Sequence, residues 1–413
     1  MMKPLYIDPG TGSMLFSLFI GLAAAGTFAI RTIFLKLRFV LLGGKGEKKS
    51  TSKNLNFVIF SDHKRYWNVF HGLCDEFESH GVELVYYTCS PDDPVLSLPY
   101  KHVRAEYLGT GNRPYARMNL LHADIVIATT PGLDVYQWKR SRYVKWYVHI
   151  PHAVRPLYTY RMFGVDHYDA VLCTGKNQEI GGKEIEEKRP NVIKKEYVIV
   201  GSPTMDNLIS QIEETQEKEK KAKPTVLVAP SWGASGILTK YGEKFLSRIS
   251  SADFEIIVRP HPQSSVSEMH ILKPLMQRFD NIEWNFDNDN FSVLNRADIL
   301  ISDFSGTMFD FAFGFGKPVI YTDAVFDPAP YDAAWLDKPI WEFGVLPKIA
   351  VKVEEKNFEN LTDFIRNVLK NPSLKQNCAS VKAECWANEG NSSKAIFDYL
   401  VAKHATLLNG VNK

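Results

Sequence analysis

The chain is poor in the features that mark several large protein classes. Only five of its 413 residues are cysteine, an odd number scattered at Cys74, Cys89, Cys173, Cys378 and Cys385 with no CxxC pair. That pattern excludes a disulfide framework and a cysteine-based zinc site, and fits a reduced, cytosolic body. Net charge is also small: 49 Lys and Arg against 47 Asp and Glu leave +2. A wholesale nucleic-acid binder needs a strongly basic face and is excluded on that balance. No Walker lysine loop occurs, so the chain is not a P-loop ATPase. What remains is 45% apolar and 23% charged, the balance of an ordinary globular protein with material for two or three domains.

Long apolar runs are missing too, with one exception. Ser13 to Ile30 carries no charge, and a helix of that length reaches about 27 Å, the lower end of a bilayer span. Asp8-Pro9-Gly10 turns the chain before it and Ser13 can cap its start. Lys3 alone precedes the run, whereas Arg31, Lys36, Arg38, Lys45, Lys48 and Lys49 follow it. The positive side stays in the cytoplasm, and charge behind the run argues against a cleaved signal peptide. The sequence therefore predicts an external amino terminus (1–12), a transmembrane helix (13–30) and a basic juxtamembrane tether (31–54). The protein would be single-pass in the inner membrane, with its catalytic domains cytoplasmic.

From Leu55 onward short Val- and Ile-rich runs alternate with helical stretches, the pattern of parallel sheets covered on both faces. Strands are expected at Asn56–Phe60, Val82–Tyr87, Ala123–Thr129, Trp146–His149, Ala170–Cys173 and Tyr197–Val200. A polar stretch over 213–224 separates these from a second set at Thr225–Ala229, Glu255–Val258, Ile282–Asn285, Ile299–Ser302 and Pro318–Tyr321. The reading is two Rossmann-like α/β domains, 55–212 and 225–413, facing across a cleft. A closing helix, Ser393–Leu408, is able to cross back to the first domain.

Residues suited to chemistry stand where strands end. Arg259-Pro260-His261-Pro262 follows a strand, and prolines on both sides stop helix or sheet from continuing through His261. A guanidinium and an imidazole there suit an anionic ligand. Ser302-Asp303-Phe304-Ser305-Gly306-Thr307 leads from a strand into a helix that carries Asp310; its hydroxyls and backbone N–H groups can meet phosphate. Ser231 and Trp232, before Gly233, form another turn able to cradle a pyrophosphate. In the first domain His149-Ile150-Pro151-His152 ends a strand; either histidine can serve as a base near neutral pH. No third ligand accompanies the His-x-x-His pair, so no metal is assigned. Asp287-Asn288-Asp289 reads as a cap and loop.

Assembled, these residues resemble the CDP-glycerol glycerophosphotransferase family of teichoic-acid and capsular-polymer enzymes. The matches run in order: a strand-end histidine; Gly201, Pro203 and Asp206 as GxPxxD; Ala229 to Trp232 as AP[ST]W; Arg259 to Pro262 as RPHP; then Ser302 to Phe311 with Gly316-Lys317-Pro318. The resemblance implies a GT-B-like fold, a CDP-glycerol or CDP-ribitol donor, and no required cofactor or metal. It makes His152 the general base, with His149 as the alternative, and gives His261 the donor's phosphates. It places Arg259, Ser302, Asp303, Ser305, Thr307 and Asp310 around the donor. Where the family shows a lysine after its WHG-type motif this chain has HIPHAVR, so Arg155 is its nearest substitute. The expected partners are the donor and a lipid-linked or polymeric acceptor at the membrane, with no nucleic acid. A nucleotide-sugar glycosyltransferase on the same frame and a catalytically silent, membrane-tethered scaffold are the alternatives.

Overall fold

A computed structural model describes residues 54–189, 192–215, 222–250, 253–287, 289–371 and 378–410, together with Gly26. Its first sheet is built from β1 (Leu55–Ser61), β2 (Leu84–Thr88), β3 (Val103–Tyr107), β4 (Ala123–Ala128), β5 (Val144–His149), β6 (Ala170–Cys173) and β7 (Glu196–Ile199). They lie in the order β3-β2-β1-β4-β5-β6-β7, and every pair is parallel. Successive side chains of a strand point to opposite faces, and both faces of this sheet are covered. Phe57 and Ile59 of β1 pack with Phe70, Leu73 and Phe77 of the helix Trp67–Ser79. Val58 and Phe60 face the other way, toward Met118, Trp138 and Tyr168. That two-sided burial is why the central strands read as unbroken apolar runs.

The second sheet repeats the plan with β8 (Thr225–Val228), β9 (Glu255–Val258), β10 (Glu283–Trp284), β11 (Ile299–Ser302), β12 (Val319–Thr322) and β13 (Val351–Val353). Their order is β10-β9-β8-β11-β12-β13, again all parallel. In each sheet the winding reverses once, between β1 and β4 and between β8 and β11. Doubly wound sheets open a crevice at such a point, beyond the carboxyl ends of the strands.

The helix Ser392–Gly410 returns to the first sheet, burying Ile396, Phe397 and Leu400 there. Asp206 fixes its start by accepting from Trp386 Nε1 (3.0 Å), Gly390 N (2.9 Å) and Ser392 N (2.9 Å).

The expected architecture needs one correction, its transmembrane helix. Among the described residues no helix is long and apolar enough to cross a membrane. The longest of them, Ser392–Gly410, carries Lys394, Asp398 and Lys403 and spends its apolar face on the first sheet. The stretch 13–30, assigned that role from its composition, lies outside the described residues apart from Gly26, as do 1–12 and 31–53.

Candidate active site

The loop after β5 meets the loops after β8 and β11. Gly306 marks one such approach: a Cβ there would stand 3.1 Å from Arg155 Cδ and 3.9 Å from the Ala153 methyl, so a side chain would need Arg155 to shift by a few tenths of an ångström. Nearby, the Arg161 guanidinium lies over the Trp232 ring, 5.3 Å from its centroid. Arg155 reaches across to Glu342, donating from Nε (3.1 Å) and a terminal nitrogen (2.9 Å) to Oε2, with the carboxylate 1% exposed. Arg155 is thus a strut between the walls, its fork committed to Glu342.

His152 stands on the first wall. Its ring is 5.1 Å from the ring of Tyr66 and 5.9 Å from that of Tyr160, and its Nδ1 lies 3.2 Å from Thr129 Oγ1. With Nδ1–H turned to Thr129, Nε2 keeps its lone pair, as a base requires. Burial, then the positive charges of Arg65, Arg155 and His261, push its pKa down to about 4. His149 is different. It is fully buried beneath His152, its Nε2 3.2 Å from the Tyr160 hydroxyl, and burial holds its pKa down at about 3. It supports Tyr160 from inside the core and does not face the gap.

His261 stands on the second wall, its ring 6.4 Å from that of Trp232. Its Nδ1 accepts from Gln263 N at 3.1 Å, which leaves the neutral ring's proton on Nε2, ready to donate. Burial and then the charge of Arg65 lower its pKa to about 4, with Arg155 adding to the effect. Both imidazoles therefore sit in one electrostatic neighbourhood, neutral and ringed by cations.

The hydroxyl loop divides by role. Ser302 Oγ donates to Ala229 O (2.6 Å), and Asp303 accepts from the backbone of Ser231 (3.0 Å), Ile237 (3.1 Å) and Phe304 (2.6 Å). Both are buried, so they shape the loop that carries Ser231 and Trp232 and leave no atom for a ligand. Ser305 and Thr307, hydroxyls 3.3 Å apart, stay partly open beside Gly306. Burial pushes the Asp310 carboxyl up to about 7. Arg259 is drawn aside, donating to Asn285 Oδ1 and to Asp287 O (2.8 Å). Asp289 accepts from Phe291 N (3.3 Å) in the loop before the helix Phe291–Arg296, and among the described residues no group of three or more His, Cys, Asp or Glu is gathered to hold a metal.

Arg65, Tyr66 and Thr129 were not singled out from the sequence. Arg65 is exposed, has no carboxylate within ion-pair distance among the described residues, and acts on both histidines. The Ser61–Tyr66 segment carries no recognisable motif; only the strand order, which puts β1 at the reversal, points to it.

Residues 122–401 match the family described as CDP-glycerol:poly(glycerophosphate) glycerophosphotransferase. No curated protein sequence matches the chain. Among solved structures it is similar to the wall teichoic acid polymerase TagF, at 14% identity and a TM-score of 0.58 over 94% of this chain and 99% of that one. It is also similar to a UDP-GlcNAc 2-epimerase from Neisseria meningitidis, at 13% identity and a TM-score of 0.51 over 84% and 99% of the two chains. At these identities the structural likeness speaks for the GT-B-like fold alone.

Proposed function

Because the chain belongs to the CDP-glycerol:poly(glycerophosphate) glycerophosphotransferase family, we propose that it moves glycerol phosphate from CDP-glycerol to a hydroxyl of a polymeric or lipid-linked acceptor in teichoic-acid-type polymer synthesis. The observation that carries this reading is the pair of neutral imidazoles on opposite walls, both held down by burial and then by the charge of Arg65.

In the proposed step the acceptor oxygen attacks the phosphorus that bears glycerol. A new P–O bond forms, the P–O bond to CMP breaks, and the hydroxyl proton passes to His152 Nε2. Charge grows on the diphosphate oxygens as CMP departs. In this reading His261 Nε2–H and Arg65 meet it, with Ser305 and Thr307 supplying hydroxyl donors. Catalysis of this kind rests on positioning and charge stabilisation.

The test is release of CMP from CDP-glycerol by purified protein given a glycerophosphate oligomer, with CDP-ribitol and UDP-sugars as competing donors. Preference for a CDP-polyol and label entering the oligomer support the reading. Turnover with UDP-sugars alone would replace it with glycosyl transfer.

A further inference from the structure

One stretch of the first wall has no part in donor chemistry. At the reversal between β1 and β4, Asp62 follows β1 directly, and Thr129 and Thr130 follow β4. Thr130 lines a pocket of about 440 Å³ with Tyr115, Tyr136 and Trp138. Asp62 Oδ1, Thr130 Oγ1 and Trp138 Nε1 are all buried, and apart from the Thr130 hydroxyl beside the Asp62 carboxylate none of them has a hydrogen-bond partner. Together they offer an acceptor, a hydroxyl and a donor at the kind of position where doubly wound sheets bind ligands. Tyr66 connects this corner to the chemistry: its ring lies 5.1 Å from that of His152, tilted to it, and the charge of Asp62 reaches its hydroxyl.

Arg65 and Arg155 act on both His152 and His261, where a diphosphate is expected, and the charge of Arg65 also reaches Asp62. The pocket lining contains no lysine, arginine or histidine. Burial pushes the Asp62 carboxyl upward, against the Thr130 hydroxyl and the charge of Arg65, which lower it. A hydroxyl-rich group can hydrogen-bond with these atoms, and aromatic rings suit its C–H faces.

Resting on the transferase reading above, we propose that Asp62 and Thr130 grip the hydroxyl-bearing end of the acceptor, the polyol whose oxygen attacks phosphorus, while the Tyr115–Trp138 pocket receives the unit behind it. A carboxylate accepting from one hydroxyl of a terminal diol aims its neighbour toward His152. The donor's glycerol is held elsewhere, against the second wall.

The experiment uses the full chain with Asp62→Ala, Asp62→Asn and Thr130→Val. Binding of a glycerophosphate oligomer is followed by calorimetry with CMP present, and initial rates are measured with oligomer and CDP-glycerol varied in turn. The expected result for Asp62→Ala is an acceptor Kd and KM at least tenfold higher, a CDP-glycerol KM within twofold of wild type, and partial recovery in Asp62→Asn. Thr130→Val, close in shape, should raise the acceptor Kd and KM several-fold and serves alone if Asp62→Ala does not fold. Equal oligomer binding by wild type and variants, or no binding by wild type, overturns the proposal. So does an effect confined to CDP-glycerol, which would place the donor's glycerol at Asp62. Failure of wild type to release CMP from any CDP-polyol refutes the transferase reading instead, and the binding comparison still decides Asp62.

Discussion

Asp206 belongs to a motif shared with glycerophosphotransferases, yet its carboxylate points into the protein. It accepts from the Trp386 indole and from the backbone of Gly390 and Ser392, at 2.9 to 3.0 Å. Trp386 and Ser392 are buried, so removing the carboxylate leaves at least two donors without water. A hydrogen bond to a charged group contributes about 1.5–3 kcal/mol, and Gly390, being exposed, can turn to solvent. Asp206→Ala should therefore cost about 3–5 kcal/mol. At roughly 2–4 °C per kcal/mol for a domain of 150–250 residues, and less for a larger body, the melting temperature should fall on the order of 5–10 °C. Calorimetry gives that number, and hydrogen exchange should localise the loosening to the amides of Gly390 and Ser392. Asp206→Asn keeps one oxygen and should lose about half as much. The CDP-glycerol KM of the folded variant should stay at the wild-type value. An unchanged melting temperature with a raised donor KM would refute this reasoning and move Asp206 into the binding site.

His152→Ala should lower kcat by about 10²–10⁴, the usual worth of a general base, without altering CDP-glycerol affinity measured by calorimetry. A pH series should show the acid limb of kcat/KM near pH 4 and not near 6.5, because burial and neighbouring cations keep His152 unprotonated down to about 4. Arg65→Ala removes one of those cations, so the same limb should move upward while the CDP-glycerol KM rises roughly 5- to 30-fold, an interaction of about 1–2 kcal/mol. Glu342→Ala leaves Arg155 without its partner between the walls; breaking such a buried pair costs about 3–5 kcal/mol, read as loss of urea resistance.

Much of this architecture is legible in the residues because parallel strands buried on both faces announce themselves as apolar runs. What escaped has physical reasons. Val103–Tyr107 is the outer strand β3; Arg104 and Glu106 interrupt its pattern because that edge meets solvent. The helix Lys176–Lys188 is masked by Gly181 and Gly182, which ordinarily weaken a helix. Here they admit neighbours: a Cβ on Gly182 would stand 2.3 Å from the Tyr197 ring, and one on Gly181 3.0 Å from that of Tyr158. At the site, spacing placed His152 and His261 correctly at strand ends. It could not separate Ser305, open to the gap, from Ser302 and Asp303, which hold the loop from below. That distinction depends on which way each side chain turns, and Ser302 and Asp303 spend theirs on Ala229 and Ser231.

The low proton affinity of both imidazoles follows first from burial and then from the charge balance of the gap. In the free enzyme Arg65 and Arg155 act on His152 and His261 alike, so a proton on either ring adds to positive charge already held away from water. A diphosphate donor brings negative charge into the same space. The field that opposed protonation then favours it, and opposite charge within a few ångströms raises an imidazole's pKa. His152 becomes the stronger base once the donor is seated, as the acceptor hydroxyl must give up its proton. The two pH profiles separate these states: kcat/KM reports the free enzyme and kcat the complex. The acid limb of kcat should therefore lie at higher pH than that of kcat/KM. Coincident limbs would mean that the bound diphosphate does not face His152, and the two walls would then have no common chemistry to perform.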